Sequence, residues 1–168
     1  MLTDNRDGKE YKVIKLGGNW WLAENFRFKD IGSFCYNNNP DNCTEYGRLY
    51  TWKACIEACP EGWRLPTEKD WESIAKLKAG EDDSSDWMKK AYTNLMPGGD
   101  SSFNAVLGGY RNSGGIFKAL RERGDYWGMS RKGKDYPWYC SFNFGKLELG
   151  LKDFEGRHAR SCRYVKEK

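Results

Sequence analysis

The chain has 168 residues, with 28 Lys and Arg against 24 Asp and Glu and a formal net charge of +4. Leu, Ile and Val are scarce, but eight Trp, ten Tyr and eight Phe each bury a large area, so a core built on aromatics is expected and disorder is excluded. No apolar run approaches the ~18 residues that cross a bilayer, Met1 to Lys15 lacks a signal-peptide core, and so small a positive balance does not call for nucleic acid.

In chain order, GKEYKVIKLGGNWWLAENF alternates apolar and polar residues on either side of Gly17-Gly18, which predicts a β-hairpin. The stretch YNNNPDN reads as a turn-rich loop. From Tyr46, Leu49, Trp52, Ile56 and Cys59 recur at helical spacing until Pro60, predicting a first helix. Thr67 is a good N-cap with acidic Asp70 three residues on. Trp71, Ile74 and Leu77 then make the buried stripe of a second helix that Gly80 ends. A short helix is expected around Asp86 to Tyr92. Beyond it, FNAVLGGYR, YWGMSR, PWYCSFNF, KLELGLKDF and ARSCRYV read as strands between glycine-rich turns. Helices followed by strands, with no linker or repeat, predict a single α+β domain over residues 1–168.

Six cysteines permit disulfides or metal. Cys35 and Cys43 bracket the turn-rich loop and are expected to pair, which places the chain in an oxidising, secreted or surface setting. Cys55 and Cys59 lie four apart on one helical face, with Cys140 and Cys162 as distant partners. Only Cys55 and Cys59 approach zinc-ligand spacing and a second ligand pair is missing, so no metal or other cofactor is expected. His158, between Arg157 and Arg160, reads as a surface histidine. The acidic run Glu81-Asp82-Asp83 with Asp86 reads as a solvated helix start instead of a calcium site, and Arg131-Lys132-Gly133-Lys134 as a solvated hairpin.

The hairpin DGKEYKVIKLGGNWWLAENF, the stretch YGRLYTWKACIEACPEGWRLPTEKDW, FNAVLGGYRN, Tyr126-Trp127 and the ending SCRYVK follow one another as in the Fibrobacter succinogenes major paralogous domain, which the chain resembles over nearly its whole length. That family is similar to bacterial C-type-lectin-like domains of the formylglycine-generating-enzyme type. The resemblance implies a C-type-lectin-like fold, two helices packed on short twisted antiparallel sheets, with the termini meeting as neighbouring strands. It further implies that Cys59 pairs with Cys162, and Cys55 is then assigned to Cys140.

Two function classes follow. A formylglycine-generating-enzyme-like cysteine oxidase needs a reactive cysteine pair and a metal, and near the C-terminus the chain offers only Cys140 and Cys162, both with structural partners expected. The favoured reading is a non-catalytic module at a cell surface, recognising a glycan or protein ligand through the outward face of its C-terminal strands. Alternation around Cys140 turns Trp138 and Phe142 inward and Tyr139, Ser141 and Asn143 outward. The expected contact residues are Arg111, Asn112, Arg131, Asp135, Tyr136, Tyr139 and Asp153.

Overall fold

The computed structural model describes residues 1–79, 86–129, 136–153 and 157–167. The N-terminal half carries β1 (Leu2–Thr3), β2 (Glu10–Tyr11), β3 (Val13–Leu16), β4 (Asn19–Leu22), β5 (Ser33–Phe34), α1 (Pro40–Tyr46), β6 (Leu49–Tyr50), α2 (Trp52–Glu57), α3 (Glu68–Ala79) and α4 (Trp87–Leu95). The remainder carries β7 (Tyr110–Arg111), β8 (Phe117–Lys118), β9 (Arg123–Gly128), β10 (Trp138–Asn143), β11 (Lys146–Lys152), β12 (Arg160–Ser161) and β13 (Val165–Lys166).

The α+β class holds, but the two-helix, C-type-lectin-like architecture does not. Four α-helices occur among the described residues, and the sheets stay open. The largest runs β11-β10-β9-β12-β6-β5, a second runs β13-β4-β3, and their outer strands do not pair to close either one. The extra helix in the first half is α1, which begins inside the stretch expected to be loop and runs past it to Tyr46. Asn39 caps it by accepting from the Asp41 amide (3.0 Å), Pro40 opens it with its φ already helical, and Gly47 leaves it at φ 77°. The Cys35–Cys43 disulfide ties this helix to the preceding turn. The helix expected from Tyr46 starts later, at Trp52, because Leu49 and Tyr50 are extended and pair with both β5 and β12. Leu77, assigned to a buried stripe, is exposed, whereas Trp71 and Ile74 are fully buried.

The N-terminal hairpin forms as β3 and β4 around Gly17-Gly18, and β13 adds antiparallel to β4. Two apolar cores result. One joins Trp71, Ile74, Ala91 and Leu95 of α3 and α4 to Tyr126, Trp138, Cys140, Phe142 and Leu147 of the large sheet. The other joins Tyr11, Phe26, Tyr50, Cys55 and Leu65 to Trp127, Cys162 and Tyr164. Trp138 presses so closely on β9 that a Cβ at Gly128 would lie 2.1 Å from its ring, so only glycine fits there.

The last strand segment links the two cores by strict alternation. Cys162 and Tyr164 enter the second core and Val165 the first, while the fully buried Arg163 points to the side of Phe103. Its guanidinium donates to Asn25 Oδ1 (2.8 Å) and to the carbonyls of Leu22 (3.0 Å), Phe103 (2.8 Å) and Asn104 (2.7 Å). It forms no salt bridge among the described residues, and burial pulls its pKa below the ordinary arginine value.

Asp70 closes a second polar knot at the start of α3. Its carboxylate accepts from the Thr67 amide (2.7 Å) and hydroxyl (2.6 Å), from Arg64 Nη1 (2.7 Å) and from Asn19 Nδ2 (2.7 Å), while the Asp70 amide donates back to Thr67 Oγ1 (3.2 Å). Burial alone would raise the carboxyl, but the bonds from Arg64 and Thr67 outweigh it and hold the pKa below its ordinary value.

Two stability experiments follow from these knots. Arg163→Met leaves three main-chain carbonyls and the Asn25 oxygen without a donor and is expected to cost roughly 3–5 kcal/mol in denaturant unfolding; Arg163→Lys restores the charge but not the fork and recovers only a minor part. Asp70→Asn is expected to cost about 1–3 kcal/mol at neutral pH. Because the folded carboxyl is depressed, its contribution is full above the ordinary carboxylate value and is lost as pH falls through the folded value. The variant's urea midpoint should therefore fall less steeply than the wild type's below about pH 4. Parallel slopes would contradict the assignment.

Candidate functional site

On β9, alternation sends Tyr126 toward α3 and α4 and leaves Arg123, Asp125 and Trp127 on the opposite face. On β10 the same rule puts Tyr139 and Ser141 beside them, in register with Trp127 and Asp125. β12 inserts parallel to β9 and brings Arg160 onto this face. The result is a layer of charge over the middle of the sheet. Arg123 Nε donates to Asp125 Oδ1 (2.7 Å), Arg160 Nη1 bonds Asp153 Oδ2, and Arg160 Nε lies 3.3 Å from Asp125 Oδ2. Burial works against the Arg123 charge, but Asp125 outweighs it and raises the guanidinium pKa.

Above this layer lies a cavity of about 420 Å³ lined by Tyr110, Arg123, Tyr139, Lys152, Asp153, His158 and Arg160, a size suited to a small ligand. Arg160 stacks on Tyr139 (3.8 Å to the ring centroid) and on Trp127 (4.6 Å), while Arg123 lies 5.3 Å from the Tyr110 ring and donates to the Tyr139 hydroxyl (3.2 Å). His158 Nδ1 stands 2.8 Å from Asp153 Oδ2 without the alignment of a hydrogen bond.

Six buried side-chain polar atoms lack a hydrogen-bond partner among the described residues, and four belong to this place: Asp125 Oδ2, Ser141 Oγ, His158 Nδ1 and Arg160 Nε. Three of the four stand in ion pairs without hydrogen-bond alignment, Asp125 Oδ2 with Arg160 Nε and His158 Nδ1 with Asp153 Oδ2, and Ser141 Oγ has neither, a concentration under one cavity that separates it from the rest of the surface. A second cavity, of about 370 Å³, is lined by Trp52, Ile56, Cys59, Trp63, Leu65 and Met129 with Arg64. It is apolar, and its one charge is committed to Asp70 and Glu167.

Of the residues expected to contact a ligand, Tyr139 and Asp153 line the polar cavity. Asp153 is buried, committed to Arg160 and His158. Arg111 lies elsewhere, its guanidinium 4.2 Å from the Phe34 ring and 5.7 Å from Phe117. Asn112 closes the β7–β8 turn by accepting from the Ile116 amide (2.8 Å). Tyr136 sits under Lys152, 5.3 Å from its ammonium. Arg131 and Asp135 lie outside the described residues, as do the rest of the basic run through Lys134 and the acidic Glu81, Asp82 and Asp83. Asp86 forms an ion pair with Lys89 (3.0 Å). Tyr110, Arg123, Lys152, His158 and Arg160 were not anticipated. The alternation of His158 with Arg160 was the available signal; His158 is partly exposed, as a surface histidine would be, and lines the cavity beside Asp153.

The cysteines also differ from expectation. Cys35–Cys43 forms, but Cys55 bonds Cys162, and Cys59 and Cys140 are free thiols. α2 ends at Glu57, so Cys59 falls beyond the helix and leaves the face that Cys55 presents to the last strand. Burial pushes the Cys59 thiol up to about 12 and Cys140 well above its ordinary value. Among the described residues no group of three metal-ligating side chains occurs, and no helix is long and apolar enough to cross a membrane.

The model of the Fibrobacter succinogenes major domain matches residues 14–166, and the chain belongs to that family. The match carries no specific likeness to C-type lectins or formylglycine-generating enzymes. No curated protein and no solved structure matches the chain.

The thiol assignment is open to a direct check. Peptide mapping without reductant should recover Cys35–Cys43 and Cys55–Cys162 as linked pairs, with Cys59 and Cys140 alkylated only slowly near pH 7 in the folded state, since the thiolate is the reactive form. Fast neutral-pH labelling of Cys59, or its recovery in a pair with Cys162, would contradict it.

Proposed function

We propose that this member of the family is a non-catalytic ligand-binding module, secreted or displayed at a cell surface, whose ligand seats in the cavity over Arg160 and Tyr139. The observation that carries this reading is the clustering, beneath one cavity, of four buried polar atoms without an aligned hydrogen bond, three of them held only in ion pairs. A group or bridging water delivered by a ligand would satisfy them. The salt-bridged floor supports the reading by fixing the wall residues before binding, which lowers the ordering cost. Two disulfides fit an oxidising setting. A cysteine-oxidase activity is disfavoured, because a nucleophilic or metal-binding thiol needs its pKa lowered and both free thiols are shifted the other way.

A glycan array and a pull-down from bacterial surface extract, run with the folded chain, test this. Tyr110→Ala and His158→Ala are expected to weaken whatever binding is found by about 1–2 kcal/mol each, with melting temperatures close to wild type, since both side chains are only partly buried at the cavity. Binding untouched by both variants would remove the ligand from this cavity.

A further inference from the structure

We infer that the apolar cavity is a second binding site, which takes a small uncharged molecule with an aromatic or hydrocarbon body and one hydrogen-bond acceptor. It stands independently of the polar cavity. Trp52 and Ile56 lie four apart on α2 and share one of its faces. The Trp63 amide donates to the Pro60 carbonyl (3.0 Å), turning the chain so that Trp63 and Leu65 face the same cavity. Main-chain bonds fix the other walls. Arg64 and Val165 exchange two of them (2.9 Å each), and the Met129 amide donates to the Pro66 carbonyl (2.9 Å). The cavity is therefore shaped before anything enters it, as small-molecule sites usually are.

The lining sets the chemistry of the guest. Ile56 and Met129 are 46% and 36% exposed, and both indoles are half-buried, so apolar surface stays wet at the mouth. Trp21, Trp71 and Trp127 each contact another ring, whereas Trp52 and Trp63 carry no stacked ring or cation among the described residues. Faces without a partner favour a flat or C–H-rich body. The polar groups exclude an ion. Arg64 is spent on Asp70, Glu167 and the Leu65 carbonyl, and the Cys59 thiol, pushed up to about 12 by burial, is neutral. With no unpaired charge on the walls, an ionic guest would lose its water without gaining a counter-charge. Trp52 Nε1 donates to the Gly128 carbonyl (3.1 Å), but the Trp63 indole N–H makes no hydrogen bond among the described residues, which leaves one donor for one acceptor. Benzene fills an apolar cavity of about 150 Å³, so about 370 Å³ has room for about two or three rings.

The test titrates 2-acetylnaphthalene, 2-ethylnaphthalene and 2-naphthoate into isotope-labelled full chain, followed by NMR. The ketone is expected to bind with shifts centred on the Trp52 and Trp63 indole signals. The ethyl compound, lacking the acceptor, should bind about threefold or more weakly, and the naphthoate at least about tenfold more weakly. Saturating ketone should slow alkylation of Cys59 and leave Cys140 unchanged. Ile56→Lys, at an exposed helix position, should lower ketone affinity at least about tenfold with little change in melting temperature. Trp63→Phe keeps a ring and removes the N–H, so the ketone and the ethyl compound should then bind alike. Equal binding of the two to the wild type overturns the acceptor, and equal or tighter binding of the naphthoate overturns the uncharged class. Shifts centred elsewhere, binding undiminished in Ile56→Lys, or no binding of any probe overturns the site. A concentration-dependent dimer that Ile56→Lys dissolves overturns it in favour of an interface between two copies of the chain. Each of these results leaves the polar cavity to be judged by its own variants.

Discussion

The fold depends on a cation with nowhere to go. Arg163 is fully buried and without a salt bridge among the described residues, a placement that would cost several kcal/mol if its donors were unmet. They are met by one side-chain amide and three main-chain carbonyls drawn from β4 and from the segment around Phe103 and Asn104. Those acceptors converge only when the N-terminal hairpin, the chain following α4 and the last strand are all in place. Asn25 extends the same logic by donating to the Tyr46 carbonyl (2.8 Å) and to Ser161 Oγ (3.2 Å). The guanidinium therefore specifies one register for segments that are far apart in sequence, at an energetic cost that a purely apolar core would not carry.

The polar cavity is a consequence of the same strand. Residues 160–165 alternate between two sides, and each position has a distinct task. Arg160 forms the floor of the cavity, Cys162 bonds Cys55, and Arg163 and Val165 join the opposite core. The Cys55–Cys162 bond closes a loop with a sequence separation of 107, which the chain-entropy description values at up to ~4.7 kcal/mol. The floor of the candidate site is thus anchored on its C-terminal side, by a covalent bond two residues on and by a buried, hydrogen-bonded guanidinium three residues on. Rigidity there is inherited from the core.

Much of this was legible where the signal is local. Gly17-Gly18 between alternating runs marked the hairpin, Thr67 with Asp70 marked the start of α3, and alternation around Cys140 placed Trp138 and Phe142 inside. What failed was non-local or competed with a neighbour. Leu49 fits a helical stripe, but pairing with β5 and β12 claimed it as strand, so the helix shortened and Cys59 lost the face that would have made it the partner of Cys162. α1 was hidden because its Asn and Pro residues are turn formers and helix starters alike. The overall architecture was carried by resemblance, and the extra helices and unclosed sheet edges overturned it.

The candidate site was the least legible part, for a topological reason. Tyr110, Arg123, Tyr139, Lys152 and His158 come from five segments whose neighbourhood is set by the insertion of β12 between β9 and β6. Nothing in the spacing of those residues encodes that crossover. Outward-facing aromatics on β10 could be read from alternation, and Tyr139 was. That its ring supports Arg160 could not, because the arginine arrives from a strand that pairs parallel to β9, against the antiparallel pattern of the rest of the sheet. The parallel insertion places two arginines on adjacent strands of one face, a repulsive arrangement unless acids intervene. Asp125 and Asp153 intervene. The cost of that compensation is a set of buried polar atoms held in ion pairs without aligned hydrogen bonds directly beneath a solvent-open cavity, a condition under which a ligand gains by bringing better-placed partners.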